Sequence, residues 1–153
     1  MIPFVLLIVT TLFSIGYLKL VGGKYNFSLA ARIGISVMLL FTAMGHFMFT
    51  DGMAMMVPDF LPYKKELVFF TGIIEIFGAI CLHVPQFRTA TASLLILFFI
   101  LILPANIKAS LENIDYQNAG NEGKGLTYLW FRIPLQFLFI VWVYFSSIKP
   151  GTK

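Results

Sequence analysis

Two ionisable residues of opposite charge lie inside long apolar segments of the sequence. Glu75 lies near the middle of the run 67–84, and Arg132 lies about two turns into the run 126–148. A carboxylate at the centre of a bilayer costs roughly 2.5–3.5 kcal/mol, so Glu75 must face the protein interior and find a partner or a proton. We therefore expect Arg132 to be its counter-ion, with the two side chains meeting inside the fold.

Three further polar side chains are predicted at a depth in the membrane similar to that of Arg132, while Glu75 lies somewhat deeper. Gln136 follows Arg132 by four residues and shares its helix face. His46 precedes the end of the run 30–50 by one turn, and Asn106 lies near the end of the run 89–108. We predict that these residues and Glu75 converge on one ligand-binding pocket. The alternative is that all five only hold the helices together, since polar residues between membrane helices often act as packing contacts.

This constellation fits several functions. The pocket can bind a small amphipathic molecule, or the protein can assist assembly of a partner membrane protein. Alternatively, His46, Arg132 and Gln136 can hydrogen-bond a quinone carbonyl while Glu75 relays its proton, or a Glu/His pair can move protons on a lipid-like substrate. No phosphate loop, nucleophile elbow or dinucleotide fingerprint is encoded. The candidate cofactors are therefore quinone or lipid, and the sequence leaves open whether the protein is an enzyme.

A metal site is not predicted. His83 is expected at the opposite membrane face from His46, and one His with one Glu supplies too few ligands for a closed zinc site. Nucleic acid is not an expected partner either, because the basic residues lie between apolar runs instead of forming a cluster. The partners we expect are the lipid bilayer and, beyond it, another membrane protein or a second copy of this chain.

The elements that must position these residues are long apolar helices. The 153 residues are 59% apolar and only 12% charged, whereas soluble domains carry about 25% charged residues. The apolar runs have the length that a hydrocarbon core of about 30 Å requires. They cover residues 2–20, 30–50, 67–84, 89–108 and 126–148. The sequence therefore predicts an all-α fold, a polytopic membrane helix bundle, with residues 1–153 forming a single transmembrane domain.

The distribution of charge predicts the orientation of the chain. With five spans, one membrane face carries six basic residues and no acid, at Lys19, Lys24, Arg32, Arg88, Lys149 and Lys153. The other face carries four lysines and six acids. Basic loops stay in the cytoplasm, so we expect an integral protein of a bacterial inner membrane, with its N-terminus outside and its C-terminus cytoplasmic.

Two further predictions concern a lid on the outer membrane face and the aromatic residues near the membrane interfaces. The segment 51–66 is apolar and contains Pro58 and Pro62, and we hypothesise that it closes over the pocket as a lid. Aromatic residues near the predicted interfaces are interpreted as membrane anchors. They are Tyr63, Tyr116, Tyr128 and Trp130.

Five short motifs give the chain a family resemblance. They are GHF at 45–47, MVPDFLP at 56–62, TGIIEIFG at 71–78, LPANI at 103–107 and RIPLQ at 132–136. In this order and spacing, the chain resembles the DoxX-like family of small membrane proteins. The resemblance implies a four-helix core plus one N-terminal transmembrane helix. The family is similar to the small subunit of thiosulfate:quinone oxidoreductase, to methylamine-utilisation membrane proteins and to the acetylcholine-receptor chaperone, whose roles differ in class, so it implies less about activity.

Overall fold

The computed structural model describes residues 2–23 and 25–149, and its regular elements in that part of the chain are helices. Lys24 and Lys153, which enter the charge distribution above, lie outside the described residues. The elements are α1 (Ile2–Gly22), α2 (Phe27–Met48), α3 (Thr50–Met56), α4 (Lys64–Cys81), α5 (Arg88–Leu101), α6 (Leu103–Leu111), α7 (Leu126–Val143) and a π-helical turn (Tyr144–Ile148).

Each predicted apolar run is helical in the structure. The fourth run differs in one respect, because it is divided at Ile102 into α5 and α6. Pro104 stands in the first turn of α6 and has no N–H to continue the hydrogen-bond ladder of α5, which explains the division. Pro134 lies inside α7, and that helix continues past it to the π-helical turn.

Four helical segments are long and apolar enough to cross a membrane. They are Ile2–Gly22, Phe27–Met48, Arg88–Leu111 and Leu126–Ile148. The third predicted span corresponds to α4, which is not among them because its 18 residues include Lys64, Lys65, Glu66 and Glu75. The fold is therefore an all-α membrane helix bundle, and its outer surface carries well-exposed phenylalanines such as Phe13, Phe77 and Phe137.

Helix α4 nevertheless runs antiparallel to α2 along most of its length. Near the end of α2, His46 contacts Thr71 of α4. Near the middle of α2, Ser36 contacts the carbonyl of Ala79 near the end of α4. The two helices therefore occupy the same layer, and the ionisable residue Glu75 lies between these contacts.

The main core lies where α1, α2, α4, α5 and α7 meet. Its largest fully buried members include Leu7, Ile35, Leu39, Leu82 and Val143. Helix α1 packs against α2 at Gly34, where a Cβ atom would overlap the side chain of Thr11. Such close approach at a small residue is how membrane helices gain packing contacts without a hydrophobic driving force between them.

Candidate functional site

His46 and Glu75 form a buried pair between α2 and α4, which we call the His–Glu pair. Nε2 of His46 lies 3.5 Å from Oε2 of Glu75, and the two side chains are 17% and 6% exposed. Oε2 of Glu75 is fully buried and has no hydrogen-bond partner among the residues that the structure describes. A buried acceptor without a partner costs about 1–3 kcal/mol, and more when it is charged. Among the described residues, this oxygen is one of two buried side-chain polar atoms without a hydrogen-bond partner, the other being Nε of Arg32.

Thr71 determines which nitrogen of His46 carries a proton. Its hydroxyl donates to the carbonyl of Val68 at 2.8 Å, which uses its only proton. The same hydroxyl lies 3.0 Å from Nδ1 of His46 and therefore accepts the Nδ1 proton. Nε2 is then the atom that faces Glu75. Contact between Nε2 and a carboxylate oxygen is favourable only if the pair holds one further proton, either on the imidazole or on the carboxyl group.

Gly72 allows the two helices of the pair to approach closely. A Cβ atom at this position would lie 3.0 Å from Cβ of His46 and 3.3 Å from the ring of Phe47. Because Gly72 and Glu75 are one turn apart on α4, the same face carries the close approach and the carboxyl group. The spacing of α2 and α4 at Gly72 therefore positions His46 against Glu75.

Asn106 is the centre of a second polar group, which joins α6 to α7. It is 3% exposed, and its Nδ2 donates to Oε1 of Gln136 at 3.2 Å. Its Oδ1 accepts from the hydroxyl of Tyr128 at 3.2 Å and from Nε of Arg132 at 3.3 Å. We call Asn106, Tyr128, Arg132 and Gln136 the amide network. The guanidinium of Arg132 also lies 5.7 Å from the ring centre of Tyr128, within the range of a cation–π contact.

The amide network also satisfies the backbone where α5 and α6 divide. Nδ2 of Asn106 lies 3.3 Å from the carbonyl of Ile102, and Nε2 of Gln136 donates to the carbonyl of Phe99. The carbonyl of Ile102 also accepts from the backbone N–H of Asn106, so the side-chain amide adds a second donor beside the helix break. Asn106 and Gln136 therefore have a structural task, as the packing alternative predicted.

The structure brings the five predicted site residues into two groups and not into one. The predicted ion pair between Glu75 and Arg132 is wrong: in the described part of the chain, Glu75 faces His46, and Arg132 binds Asn106. The physical reason is local. Tyr128 and Arg132 are one turn apart on α7 and both reach Asn106, whereas α4 packs directly against α2.

Two contributing residues were not predicted. Thr71 lies four residues before Glu75 on α4, and that spacing on one helix face was the available signal. Tyr128 was interpreted as a membrane anchor, but its hydroxyl joins the amide network. Tyr63 and Trp130, by contrast, are 75% and 82% exposed, as membrane anchors would be.

The segment 51–66 covers the same end of the bundle as the His–Glu pair. The terminal methyl of Met53 in α3 lies beside Gly45, which precedes His46. Asp59 accepts from Lys64 at 2.5 Å and from Lys108 at 2.7 Å, and these two hydrogen bonds lower the pKa of Asp59 to about 2. Lys108 also donates to the carbonyl of Val57 at 3.1 Å. The segment is therefore tied to α4 and α6 by one carboxylate.

Two grooves of the bundle lie elsewhere. One of about 240 Å³ separates α1 from Phe27, Ala31 and Trp142, and another of about 200 Å³ lies between Phe4 and α7. Neither is lined by the five predicted site residues. Within residues 2–23 and 25–149, no cluster of three or more His, Cys, Asp or Glu side chains is arranged to hold a metal ion.

Fold and site together define a helical membrane protein with a buried carboxyl–imidazole pair. A family model described as a domain of unknown function (DUF8561) matches residues 35–147, which is most of the chain, and the protein belongs to that family. The match begins within α2 and includes both polar groups. Neither the curated proteins nor the solved structures give a match.

Proposed function

We propose that this protein binds a small amphipathic molecule within the membrane and that the His–Glu pair holds its polar group. The observation that carries the proposal is Oε2 of Glu75, a buried carboxyl oxygen without a hydrogen-bond partner among the described residues. A ligand that donates a hydrogen bond to this oxygen offsets the cost of burying it. Intramembrane ionisable residues with incomplete partners are the expected place for such a function.

The pairing of the polar atoms favours a donor on the ligand, such as a hydroxyl or an amine. Nδ1 of His46 is engaged by Thr71, and the side-chain amide of Gln136 bonds Asn106 and the carbonyl of Phe99. A quinone presents carbonyl oxygens, which need donors, and the donors of His46 and Gln136 are already in use, which leaves the terminal nitrogens of Arg132 for a quinone. The quinone-linked subunit is therefore the less favoured alternative, and a partner-assembly role is the other.

We place the entry of the ligand on the His46 side of the pair. The His46 side chain is 17% exposed while Glu75 is 6% exposed, so a polar group would reach the carboxyl group past the imidazole. The segment 51–66 packs beside this point through Met53. We propose that it acts as a lid, with its tie to Lys108 as the contact that keeps it closed.

The same proposal includes the placement of the chain in the membrane. Because α4 runs antiparallel to α2 through the same layer, it supplies a fifth crossing despite its charges. Five crossings and the positive-inside rule give a cytoplasmic C-terminus and an external N-terminus, in a bacterial inner membrane. The DoxX-like resemblance is part of this proposal, since its motifs contain all five polar residues that the sequence singled out.

A proton-transfer enzyme acting on a lipid-like substrate is the second candidate. The specific observation that favours it is the proton assignment: with Nδ1 of His46 committed to Thr71, the pair of Nε2 and Glu75 holds one further proton, on one group or the other. A carboxyl group beside an imidazole, away from water, is suited to general acid–base chemistry. In that case, the bound molecule would leave chemically altered.

The test is the chemical analysis of what the gently extracted protein retains. Native mass spectrometry of the wild type should show a small amphipathic molecule with a hydroxyl or amine group. Glu75→Gln should retain about tenfold less, because a hydrogen bond to a charged group is worth about 1.5–3 kcal/mol. Glu122→Gln, which neutralises an exposed carboxylate in the loop between α6 and α7, should retain as much as the wild type.

Three results would overturn the ligand proposal. Retained quinone would support the redox alternative, and a retained partner chain without a small molecule would support the assembly alternative. Equal retention by Glu75→Gln and the wild type would remove Glu75 from the site. Thermal unfolding of each variant in the same detergent shows whether a loss of ligand reflects a loss of fold.

A further inference from the structure

A cluster of basic residues lies at the end of the bundle opposite the His–Glu pair. Arg32 of α2 is only 7% exposed, although it is a charged residue. Its Nη1 donates to the carbonyl of Ser146 at 2.9 Å, but its Nε is fully buried and has no hydrogen-bond partner in the described structure. A buried arginine is ordinarily paired with an anion or fully hydrogen-bonded.

His83 and Arg88 lie near Arg32, and each of the two is held by a hydrogen bond. Ser36 lies one turn after Arg32, and its hydroxyl donates to the carbonyl of Ala79 at 2.9 Å. That hydroxyl therefore accepts from Nε2 of His83 at 3.0 Å. On the other side of His83, Nε of Arg88 donates to the carbonyl of Leu82 at 3.3 Å.

The cluster carries positive charge without a local acid. The guanidinium groups of Arg32 and Arg88 carry permanent positive charge, and both lie near His83. None of the ion pairs formed by the described residues includes these three side chains. The nearest carboxyl group along α4 is Glu75, about two turns away and directed at His46.

We propose that Arg32, His83 and Arg88 form a binding site for a phosphate group at this end of the bundle. A phosphate oxygen supplies the acceptor that Nε of Arg32 lacks, and guanidinium groups bind phosphate through paired hydrogen bonds. The site lies at the ends of membrane-length helices, which is the level of lipid headgroups. The phosphate therefore comes either from an anionic phospholipid or from a soluble phosphate compound, and both sources present the same oxygens.

The test measures lipid binding to the full chain by native mass spectrometry in detergent. Short-chain phosphatidylglycerol and diacylglycerol, which lacks the phosphate group, are added separately at equal concentration, and inorganic phosphate is added as a competitor. We expect the wild type to prefer phosphatidylglycerol, and Arg88→Gln to bind it about tenfold more weakly. Lys149→Gln removes an exposed positive charge outside the cluster and should bind like the wild type.

Each outcome decides the proposal. Displacement of lipid by millimolar phosphate supports the site with a soluble ligand, and resistance to it supports the lipid headgroup. Equal binding by Arg88→Gln and the wild type, or no preference between the two lipids, overturns the proposal. Arg32→Gln should lose binding as well; because this variant removes a buried contact, Arg88→Gln in the half-buried position is the deciding variant. Glu75→Gln should keep lipid binding, which separates this site from the His–Glu pair.

Discussion

The hydroxyl of Thr71 lies 3.0 Å from Nδ1 of His46, and this contact leaves Nε2 of the same ring facing Glu75. The arrangement is a chain from a backbone carbonyl through a hydroxyl and an imidazole to a carboxyl group. Its direction is fixed because the Thr71 proton is given to Val68. This chain, and not the ion pair that the sequence predicts, positions the carboxyl group of Glu75.

Thr71→Val tests the chain from its backbone end. Removing the hydroxyl leaves Nδ1 of His46 without its acceptor, so the variant should be destabilised by about 1–3 kcal/mol. The matched control is Thr42→Val, since the Thr42 hydroxyl bonds only its own helix backbone at Met38 and Leu39. Thermal and denaturant unfolding in detergent compare the two. Equal losses of stability in both variants would contradict the assignment.

The two polar groups should be energetically separate. A double-mutant cycle between Asn106→Leu and Arg132→Leu should give a coupling of about 0.5–2 kcal/mol, because the two side chains are hydrogen-bonded. The cycle between Glu75→Gln and Arg132→Leu should give less than about 0.5 kcal/mol. Both are obtained from free energies of unfolding under identical conditions. If the coupling between Glu75 and Arg132 exceeded the coupling between Asn106 and Arg132, Glu75 and Arg132 would form an ion pair, contrary to the separation of the two polar groups.

Gly72 should be sensitive to a single methyl group. In Gly72→Ala, the new Cβ lies 3.0 Å from Cβ of His46, and relieving this contact costs about 1–3 kcal/mol and moves the imidazole away from Glu75. Gly16→Ala is the control, because a Cβ there has open space and the substitution favours the helix. Ligand retention should fall only in the first variant. If both variants keep the same stability and the same ligand, close approach at Gly72 is not what positions the pair.

The hydrogen bonds from Lys64 and Lys108 to Asp59, which hold the 51–66 segment, should weaken at acid pH. The pKa of Asp59 is lowered from its ordinary 3.8 to about 2, so the carboxylate stabilises the fold above pH 3.8, and this contribution is lost as the pH falls through 2. The melting temperature of the wild type should therefore fall more than that of Asp59→Asn between about pH 4 and pH 2. Parallel curves for the two proteins would show that the tie adds nothing to stability.

The helices could be predicted from the sequence because run length and composition are properties of the chain itself. The apolar stretches of α1, α2 and α7 have one interpretation inside a membrane. Helix α4 is less clear, since its ionisable residues remove it from the set of apolar helices, and only its packing against α2 places it in the same layer.

The partners of the polar residues could not be predicted in the same way. The sequence gives the depth of Glu75 and Arg132 along their helices, but a pairing also depends on which way each face is turned after packing. Gly72 turns Glu75 to α2, and Tyr128 shares Asn106 with Arg132. The burial of Arg32 could not be predicted for the same reason. The sequence places it among the basic residues of one membrane face, whereas its side chain is buried inside the bundle.

Whether the carboxyl group of Glu75 holds a bound molecule can be measured by its reaction with a hydrophobic carbodiimide, followed by intact-mass and peptide analysis. The reagent modifies protonated carboxyl groups within the apolar phase. Protein stripped of bound molecules by extensive detergent washing should be labelled at Glu75, whereas the gently extracted protein should be protected because the ligand occupies the carboxyl group. Equal labelling of Glu75 in both preparations would contradict the claim that this carboxyl group holds a bound molecule.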